Sequence, residues 1–494
     1  MLDQDIINKY RNKEIRAQKL FIDGNWVNGS GENFNIISPI DGKPFTSIAR
    51  ATVSDMNKAI KSARDAFEKG SWSNMPPAQR KKILHKLSDL IERDAIELTV
   101  LGVRDNGTEI NMAINAEAGS AAGTFRYYAE SIDKVYGEIA PTANSVLGLI
   151  HKEPVGVVGA IVPWNFPLMI GSWKIAPALA AGNSIVLKPA ETASLSLLKL
   201  AELAAEAGVP EGVLNVVTGQ GSLVGKAMGL SMDVDVLAFT GSGPTGRQLL
   251  EYSAQSNMKR CYLELGGKSP NIIFSDAPDL NLAAKVSAMA IFRNSGQVCV
   301  AASRLIVEEN IHDDFIKNVV EHAKLLQVGN PLDLSSDVGA INSEIQLKSN
   351  LKFVDIAKKE GANIITGGNQ ILQNTGGYYM EPTVLTNVSS SSTLFNDEVF
   401  GPVLAVSKFK TEDEAIELAN GTEFGLSAGI WTSNLSKAHK MVSKVKAGVV
   451  NVNTYGGADM TVPLSGVKQS GNGADKSMHA LDKYINLKTA WIQL

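Results

Sequence analysis

The sequence predicts an α/β fold built on a doubly wound parallel sheet, and three observations lead to that prediction. From residue 155 onward, short apolar runs alternate with stretches of helical spacing. The short runs are apolar at nearly every position, which is typical of parallel strands covered by helices on both faces. A chain of 494 residues also exceeds the size of one hydrophobic core and suggests roughly three domains.

Composition and charge argue against several functional classes. Apolar residues make up 44% of the chain and charged residues 20%, as in ordinary globular proteins. The net charge of −4 gives no support for nucleic-acid binding, and the six histidines lack the spacing of metal ligands. Two cysteines, Cys261 and Cys299, cannot build a disulfide framework, which favours a reducing compartment. We expect neither a metal site nor a nucleic-acid partner.

No stretch of the sequence is typical of a signal peptide or a membrane span. The first twenty residues mix acids and bases without an apolar core. The uncharged run Val155–Trp173 reaches membrane-spanning length, but its prolines and glycines favour a buried strand, a loop and a helix start. These features predict a soluble cytoplasmic protein that does not bind membranes.

The part of the chain before residue 155 is predicted to combine short strands, helices and an extended segment. Period-two runs indicate strands, and apolar residues at helical spacing indicate helices, with Ser54 and Asp55 as a candidate N-cap. The predicted elements are strands at Leu20–Val27 and Phe34–Ser38, helices at Ser54–Lys69, Pro77–Arg93 and Asn111–Lys134, and an extended interface segment at Val135–Lys152.

Residues 155–256 are predicted to form the doubly wound unit itself. The predicted strands are Val155–Val162, Ser184–Leu187, Val213–Val217 and Val236–Phe239, and the helices that follow them are Gly171–Ala181, Ser194–Ala207, Ser222–Leu230 and Thr245–Ser256. A second α/β unit follows the same logic. It comprises Asn271–Phe274, Leu280–Phe292, Arg304–Glu308, His312–Leu325, Leu351–Lys359 and Asn363–Thr366. The apolar tail, Leu487–Leu494, is predicted to be a strand that pairs with another segment.

Two strand ends carry residues typical of nucleotide binding. Gly241, Ser242 and Gly246 belong to a GxGxxG pattern that follows a predicted strand and opens a helix, where free N–H groups can bind a pyrophosphate. Lys188 and Glu191 follow another strand and could hydrogen-bond ribose hydroxyls. The alternatives are an ordinary glycine turn for the first motif and a helix-capping cluster for the second.

Cys299 is the candidate nucleophile. It lies in a small, glycine-containing segment between the apolar run Val286–Phe292 and the predicted strand Arg304–Glu308. A thiol at such a junction can face a cleft without a bulky neighbour in front of it. The alternative is a small buried hydrophobic residue, which is the usual role of an isolated intracellular cysteine.

Six motifs in order resemble those of the NAD(P)-dependent aldehyde dehydrogenase superfamily. They are Pro163-Trp164-Asn165-Phe166-Pro167, Lys188-Pro189-Ala190-Glu191, Phe239-Thr240-Gly241-Ser242, Glu264-Leu265-Gly266-Gly267-Lys268, Gly296-Gln297-Val298-Cys299 and Glu398-Val399-Phe400-Gly401-Pro402. The resemblance extends from about residue 20 to the C-terminus. It implies an aldehyde dehydrogenase-like fold and oxidation of an aldehyde to a carboxylate.

The resemblance implies a role for three catalytic residues. Cys299 would add to the aldehyde carbonyl and form a thiohemiacetal, which becomes a thioester after hydride transfer. Asn165 would stabilise the oxyanion together with the backbone N–H of Cys299. Glu264 would then activate the water that hydrolyses the thioester.

The same resemblance implies the cofactor-binding residues. Glu398 would hold the nicotinamide ribose with Phe400 packed beside it, Ser242 would contact the pyrophosphate, and Leu265 would bind the carboxamide through its carbonyl. The implied set is completed by Trp164, Lys188, Glu191 and Gly241. A carboxylate such as Glu191 repels a ribose 2′-phosphate, so we expect NAD, with NADP possible as a second cofactor.

The C-terminal region indicates the class of aldehyde. Residues 459–477, together with 125–142, resemble the γ-glutamyl-γ-aminobutyraldehyde and aminoaldehyde dehydrogenases of polyamine breakdown. Departures from that pattern at Ser295, Asn451, Leu464 and Ala474 leave the substrate open. Arg293 stands where relatives place an aromatic residue of the substrate tunnel. We expect Trp173, Arg293 and Asp459 at the substrate, with Arg293 on a carboxylate and Asp459 on an amine. A surface Arg293 in a salt bridge is the alternative.

These observations predict three domains and leave two other functions open. The nicotinamide-binding domain would comprise residues 1–134 and 153–262, the catalytic domain residues 263–475, and a small β oligomerisation element residues 135–152 and 476–494. We expect a homodimer or homotetramer. One alternative is a coenzyme-A-acylating semialdehyde dehydrogenase, although such enzymes usually lack a base at the position of Glu264. The other is a non-catalytic protein on the same fold.

Overall fold

The computed structural model describes residues 3–457 and 459–494. Its helices are α1 (Gln4–Arg11), α2 (Val53–Lys69), α3 (Pro77–Arg93), α4 (Ala95–Asn106), α5 (Ile110–Ala113), α6 (Ser120–Ser131), α7 (Pro167–Ala181), α8 (Leu195–Ala207), α9 (Lys226–Leu230), α10 (Gly243–Ala254), α11 (Leu280–Phe292), α12 (His312–Leu325), α13 (Glu344–Lys359), α14 (Thr393–Asn396), α15 (Glu412–Asn420) and α16 (Leu435–Lys444). In the described part of the chain, no helix is both long and apolar enough to span a bilayer.

The strands are short, and most of them belong to two large sheets. They are β1 (Leu20–Ile22), β2 (Asn25–Val27), β3 (Gly31–Ile37), β4 (Pro44–Arg50), β5 (Glu138–Ala140), β6 (Val146–Pro154), β7 (Val157–Ile161), β8 (Ser184–Lys188), β9 (Leu214–Val216), β10 (Val236–Thr240), β11 (Arg260–Glu264), β12 (Pro270–Ile273), β13 (Arg304–Glu308), β14 (Asn363–Thr366), β15 (Gln370–Ile371), β16 (Tyr379–Met380), β17 (Thr383–Thr386), β18 (Val403–Phe409), β19 (Phe424–Gly425), β20 (Ser427–Trp431), β21 (Val449–Val452), β22 (Leu464–Ser465), β23 (Val467–Lys468), β24 (Ala474–Asp475) and β25 (Ile485–Gln493).

The first large sheet has the order β11-β10-β7-β8-β9-β1-β2, and β7 to β11 are parallel. Alternate residues of β7 enter different cores: Val158 packs with α7 and α8, whereas Val157 packs with α2. Both faces are therefore buried, which explains the continuous apolar runs. The chain order runs outward from β7 in both directions, so a topological switch point lies between β7 and β10.

The second large sheet repeats the arrangement with the order β14-β17-β18-β13-β12-β20-β21. Only its edge strand β14 is antiparallel among these pairings. Helices α11 and α12 cover one face, while α15 and α16 cover the other. The segment that contains Cys299 connects α11 to β13. The predicted α/β fold is confirmed.

A separate three-stranded sheet has the order β25-β6-β5. Strand β25 pairs with β6 from Ile485↔Pro154 to Gln493↔Val146, so the predicted C-terminal strand is confirmed and its partner lies within the same chain. The division into three domains and the use of this sheet in oligomerisation stay predictions.

Several local predictions differ from the structure in their bounds or in the type of helix. Helix α2 begins one residue earlier than expected, because Thr52 and Asp55 form a capping box in place of a Ser54 cap. The long helix predicted at 111–134 is interrupted by a π-helical turn at Ile114–Gly119 and ends in a 3₁₀ turn. Helix α7 begins at Pro167 and not near residue 171, because proline is well accommodated in the first turn of a helix.

Candidate active site

Most of the predicted site residues lie at one edge of the first sheet. The carboxyl ends of parallel strands meet at a common edge, and here four segments leave the sheet side by side. They supply Trp164 and Asn165 after β7, Lys188 and Glu191 after β8, Gly241 and Ser242 after β10, and Glu264 and Leu265 at the end of β11. The switch point between β7 and β10 lies at the centre of this group.

Ser242 occupies the N-cap position of α10, but its side chain makes no hydrogen bond to the N–H groups of the first turn. Its Oγ lies 3.0 Å from Oγ1 of Thr245, so the N–H groups of the first turn remain open to an anion. Gly241 lies against the ring of Phe239, where a Cβ would come within 2.4 Å of Cζ. A glycine is therefore needed for the chain to make this turn.

Lys188 and Glu191 form a fixed pair after β8. The buried Nζ of Lys188 lies 3.6 Å from Oε1 of Glu191, and the same oxygen accepts a hydrogen bond of 2.8 Å from the backbone N–H of Gly221. Burial lowers the pKa of Lys188, and Glu191 partly offsets this effect. The helix-capping alternative is wrong, because the first turn of α8 donates to Asp105 through Leu195 N at 2.9 Å.

Glu398 and Phe400 approach this edge from the second α/β unit. Oε1 of Glu398 accepts a 2.8 Å hydrogen bond from Gly267 N, and burial raises the pKa of Glu398 to about 7. Phe400 has a φ of 55° and packs edge-on against Trp164, with ring centroids 5.2 Å apart. The predicted cofactor residues of the two units therefore come together.

The nucleophile follows a strained turn. Asn294 and Ser295 adopt φ values of 47° and 51°, and Gly296 continues at 72°. Two consecutive left-handed residues other than glycine cost about 1–3 kcal/mol each, so surrounding contacts must hold them. Such strain is common beside functional groups, and here it leads directly into Gln297-Val298-Cys299.

Side chains from distant segments hold this turn. Oγ1 of Thr108 donates to Oδ1 of Asn294 at 2.8 Å, and Oε1 of Glu109 accepts from Asn294 N at 3.1 Å. On the other side, Oγ of Ser295 donates to the carbonyl of Gly339 at 2.8 Å. Thr108 and Glu109 were not predicted as site residues, since nothing in the sequence links them to residues nearly two hundred positions away.

Cys299 itself is partly exposed and lies close to backbone and to two carboxylates. A Cβ on Gly267 would come within 2.6 Å of the Cys299 carbonyl oxygen, so this glycine permits the close approach. Burial, together with Glu398 and Glu264, raises the pKa of the Cys299 thiol to about 12. At rest Cys299 is therefore a thiol, and the predicted nucleophile would need a base or a bound cation before it reacts.

Asn165 is buried beside the nucleophile segment. Its Nδ2 donates to the backbone carbonyl of Gln297 at 2.9 Å, and the backbone carbonyl of Asn165 accepts from Nδ2 of Asn294 at 3.2 Å. A side-chain amide has two N–H groups, so the second remains available to an oxyanion. The predicted oxyanion residue and the predicted nucleophile thus share one hydrogen-bond network.

Glu264 is buried, and its Oε1 has no hydrogen-bond partner among the described residues. Burial and the nearby Asp475 raise the pKa of Glu264 to about 8, whereas Lys174 and Lys483 lower it. A carboxyl group with such a pKa can take up a proton near neutral pH, as a general base must.

A buried charge triad lies beneath Glu264. Asp475 accepts from Nζ of Lys174 at 2.5 Å and from Nζ of Lys483 at 2.6 Å, and all three side chains are buried. We call these residues the lysine–aspartate triad. It was missed from the sequence, where the only signal is that Lys174 ends the long uncharged run before it.

The predicted substrate residues separate into two groups. Trp173 lies under Nζ of Lys476, 6.0 Å from the ring centroid. Burial lowers the pKa of Lys476, and the nearby Asp459 partly offsets this effect. Arg293 is exposed and lies near Glu109, whose pKa burial raises to about 7, an effect that Arg293 partly offsets. The described contacts of Asp459 are with Thr461 and not with Arg293.

Comparisons with known proteins agree with this geometry. The model of the aldehyde dehydrogenase family matches residues 26–490. The NADP/NAD-dependent aldehyde dehydrogenase PuuC of Escherichia coli K12 is 47% identical over 477 residues, which cover 96% of each chain.

Solved structures give the same result. The γ-glutamyl-γ-aminobutyraldehyde dehydrogenase of Burkholderia cenocepacia has a TM-score of 0.97 and 45% identity over the full length of both chains. An indole-3-acetaldehyde dehydrogenase solved with NAD⁺ has a TM-score of 0.98 and 47% identity, also over both full chains. The predicted family, fold and enzyme class are confirmed, and the chain belongs to the aldehyde dehydrogenase family.

Proposed function

We propose that this protein oxidises an amino- or γ-glutamylamino-aldehyde to the carboxylate, with NAD as the electron acceptor. The convergence of Cys299, Asn165 and Glu264 from three separate elements at one sheet edge carries this proposal. The similarity to PuuC and to the γ-glutamyl-γ-aminobutyraldehyde dehydrogenase supports the substrate class.

The residues at the sheet edge fit a dinucleotide. The uncapped N-terminus of α10 at Ser242 suits a pyrophosphate, and the Lys188–Glu191 pair suits ribose hydroxyls. Glu398 with Phe400 and Trp164 would hold the nicotinamide half, and the Leu265 carbonyl would bind its carboxamide. When bound, NAD accepts the hydride that leaves the substrate carbon. Glu191 favours NAD over NADP, and the PuuC relative is described as using both.

In the first step, the Cys299 thiol gives its proton to the Glu264 carboxylate, and Sγ bonds to the aldehyde carbon. Glu264 releases that proton to solvent before the second step. The carbonyl electrons move onto oxygen, and Asn165 Nδ2 and the Cys299 N–H stabilise this oxyanion. The network through Asn294 holds both donors relative to each other. Loss of hydride from the same carbon leaves a thioester on Cys299.

In the second step, Glu264 removes a proton from water while the water oxygen attacks the thioester carbon. The C–S bond breaks, the carboxylic acid leaves, and the thiol is restored. Burial and Asp475 keep the base ready to accept a proton, and the two lysines of the lysine–aspartate triad limit the rise of its pKa.

The base argues against the coenzyme-A-acylating alternative, which needs no activated water. The non-catalytic alternative is disfavoured because Cys299, Asn165 and Glu264 are all present and gathered at one site. We also infer a cytoplasmic homodimer or homotetramer. Strand β25 is an outer strand of its sheet and exposes Leu487 and Trp491, which supports pairing with another copy.

The test is NADH formation by the purified protein on a panel of aldehydes. The panel contains butanal, betaine aldehyde, 4-aminobutyraldehyde, γ-glutamyl-γ-aminobutyraldehyde and succinate semialdehyde, with Cys299→Ala as the control. We expect Cys299-dependent turnover with the highest kcat/KM on the glutamylated substrate. Preference for betaine aldehyde or butanal would refute the substrate class, and CoA-dependent acyl transfer would favour the alternative reaction.

A further inference from the structure

Lys476 has a largely buried side chain whose ammonium group has no partner among the described residues. The residue is 5% exposed, yet no hydrogen bond or ion pair engages its Nζ among the residues that the structure describes. Its neighbour Asp475 is already occupied by Lys174 and Lys483. Nζ of Lys476 is not one of the buried polar atoms that lack a partner, so the ammonium group keeps access to solvent at the end of a buried stem and can meet an anion that enters the site.

The position of Lys476 connects it to the substrate side of the site. Its Nζ lies 6.0 Å from the centroid of the Trp173 ring, and Trp173 directly precedes Lys174 of the triad. Lys476 therefore follows Asp475 of the lysine–aspartate triad directly in the chain, and its ammonium group lies over Trp173, a predicted substrate residue.

The backbone around Lys476 is strained and held in place. Lys476 has a φ of 67°, and Ser477 has a φ of 52° with a ψ of 177°, a region that is almost restricted to glycine. Ser477 N donates to Met460 O at 2.7 Å, and the hydroxyl of Tyr128 donates to Ser477 O at 2.9 Å. The first of these bonds ties Lys476 to the loop that carries Asp459.

Asp459 is the complementary charge at the exposed end of this cluster. Its Oδ1 accepts only local hydrogen bonds, from Thr461 N at 2.8 Å and Thr461 Oγ1 at 2.6 Å. Asp459 lies near Lys476 without forming an ion pair with it, so this cluster holds one exposed anion and one cation that has no partner among the described residues. A ligand that carries both charges on one carbon can satisfy both.

We propose that Lys476 and Asp459 bind the α-amino-acid end of the substrate, Lys476 taking its carboxylate and Asp459 its ammonium group. The proposal rests on the proposed function and deepens it, because a γ-glutamylated aldehyde has this end group whereas 4-aminobutyraldehyde has only an amine. Carboxylate recognition is thereby assigned to Lys476 in place of Arg293.

The experiment compares kcat/KM for γ-glutamyl-γ-aminobutyraldehyde with kcat/KM for 4-aminobutyraldehyde. In Lys476→Met, we expect this ratio to fall about 10- to 100-fold, the size of a charge-assisted hydrogen bond. Lys476→Arg keeps the charge and should retain most of the ratio. Because the ammonium group keeps access to solvent, its removal should leave the thermal midpoint nearly unchanged.

Lys259→Met is the matched control. Lys259 is also 5% exposed, but its Nζ donates to Gly229 O at 2.6 Å and to Ser256 Oγ at 2.7 Å. This variant should lose stability and keep the substrate ratio. An equal loss on both aldehydes in Lys476→Met, or a loss that follows Arg293→Met instead, would overturn the proposal.

A binding measurement separates this proposal from the proposed function. N5-propyl-L-glutamine has the amino-acid end and no aldehyde, so its binding can be followed by calorimetry without turnover. Binding that Lys476→Met weakens at least tenfold, in a protein that oxidises no glutamylated aldehyde, would retain the recognition pair and refute the function. No difference between Lys476→Met and the unaltered protein would refute the pair.

Discussion

The predicted reaction centre and the predicted substrate entrance differ in whether their charged side chains are paired. At the centre, the lysine–aspartate triad pairs Asp475 with two ammonium groups at 2.5 and 2.6 Å. At the entrance, the next residue, Lys476, is also buried but has no partner among the described residues. Two consecutive residues, Asp475 and Lys476, therefore hold one charge that the protein pairs and one that has no partner among the described residues.

This difference separates charges that act on neighbouring groups of the protein from charges that are available to bind a ligand. A paired triad tunes a neighbouring group at all times, as its effect on the pKa of Glu264 indicates. An unpaired ammonium gains its partner only when a substrate is bound. The predictions below test the paired side of the comparison, from the largest expected effect to the smallest.

Breaking the triad should have the largest effect on stability. Lys174→Met leaves Asp475 with one ammonium partner in a buried site, and such a loss costs about 3–5 kcal/mol. Urea denaturation measures the free energy of unfolding, with Lys61→Met on the surface as the control. A loss below about 1 kcal/mol would mean that the triad is not a satisfied unit.

Removal of the oxyanion donor should have the largest effect on the chemical step. Asn165→Ala should lower kcat by about 10²- to 10³-fold while KM changes little, because the donor acts mainly on the oxyanion. Steady-state kinetics on the best aldehyde measure this. Asn215→Ala, at a buried asparagine of β9 that hydrogen-bonds Gly212 and Asp23, is the matched control. Comparable falls in kcat for both variants would contradict the assignment.

The pH dependence should follow the buried base. The pKa of Glu264 is raised from 4.5 to about 8, so kcat/KM should rise about tenfold per pH unit below pH 8 and then level off. The contribution of Glu264 to stability changes with pH in the opposite direction. The folded protein binds this proton more tightly than the unfolded chain does, so this group's contribution falls as pH rises from 4.5 to about 8. Glu264→Gln should remove the rising limb, and persistence of that limb would assign it to another group.

The smallest effect is expected at the support of the strained turn. Thr108→Val removes the hydroxyl that donates to Asn294 and nearly preserves the volume, so kcat should fall about fivefold, equivalent to about 1 kcal/mol. The rate of Cys299 alkylation by iodoacetamide should change with it, and Thr108→Ser should restore both. Thr99→Val, which removes a buried hydroxyl bound to Ala95 O at 2.7 Å, should change neither rate.

Much of the fold was predictable because its strands and helices are encoded locally. Strand β8 at Ser184–Lys188 and helix α11 at Leu280–Phe292 match the sequence prediction closely, since apolar runs and helical periodicity need no tertiary information. The boundaries that failed depend on side-chain details, such as the capping box at Thr52 and the π-helical turn at Ile114–Gly119.

The sequence by itself determined the family, the candidate nucleophile Cys299 and the motifs that end its parallel strands. Tertiary structure decided which charges are paired. The bond between Lys174 and Asp475 spans 301 positions, and that between Thr108 and Asn294 spans 186. A local pattern predicts a strand or helix because neighbours along the chain create its periodicity. The pairing of a buried charge depends on which distant elements pack against it, and only the folded chain brings those elements together.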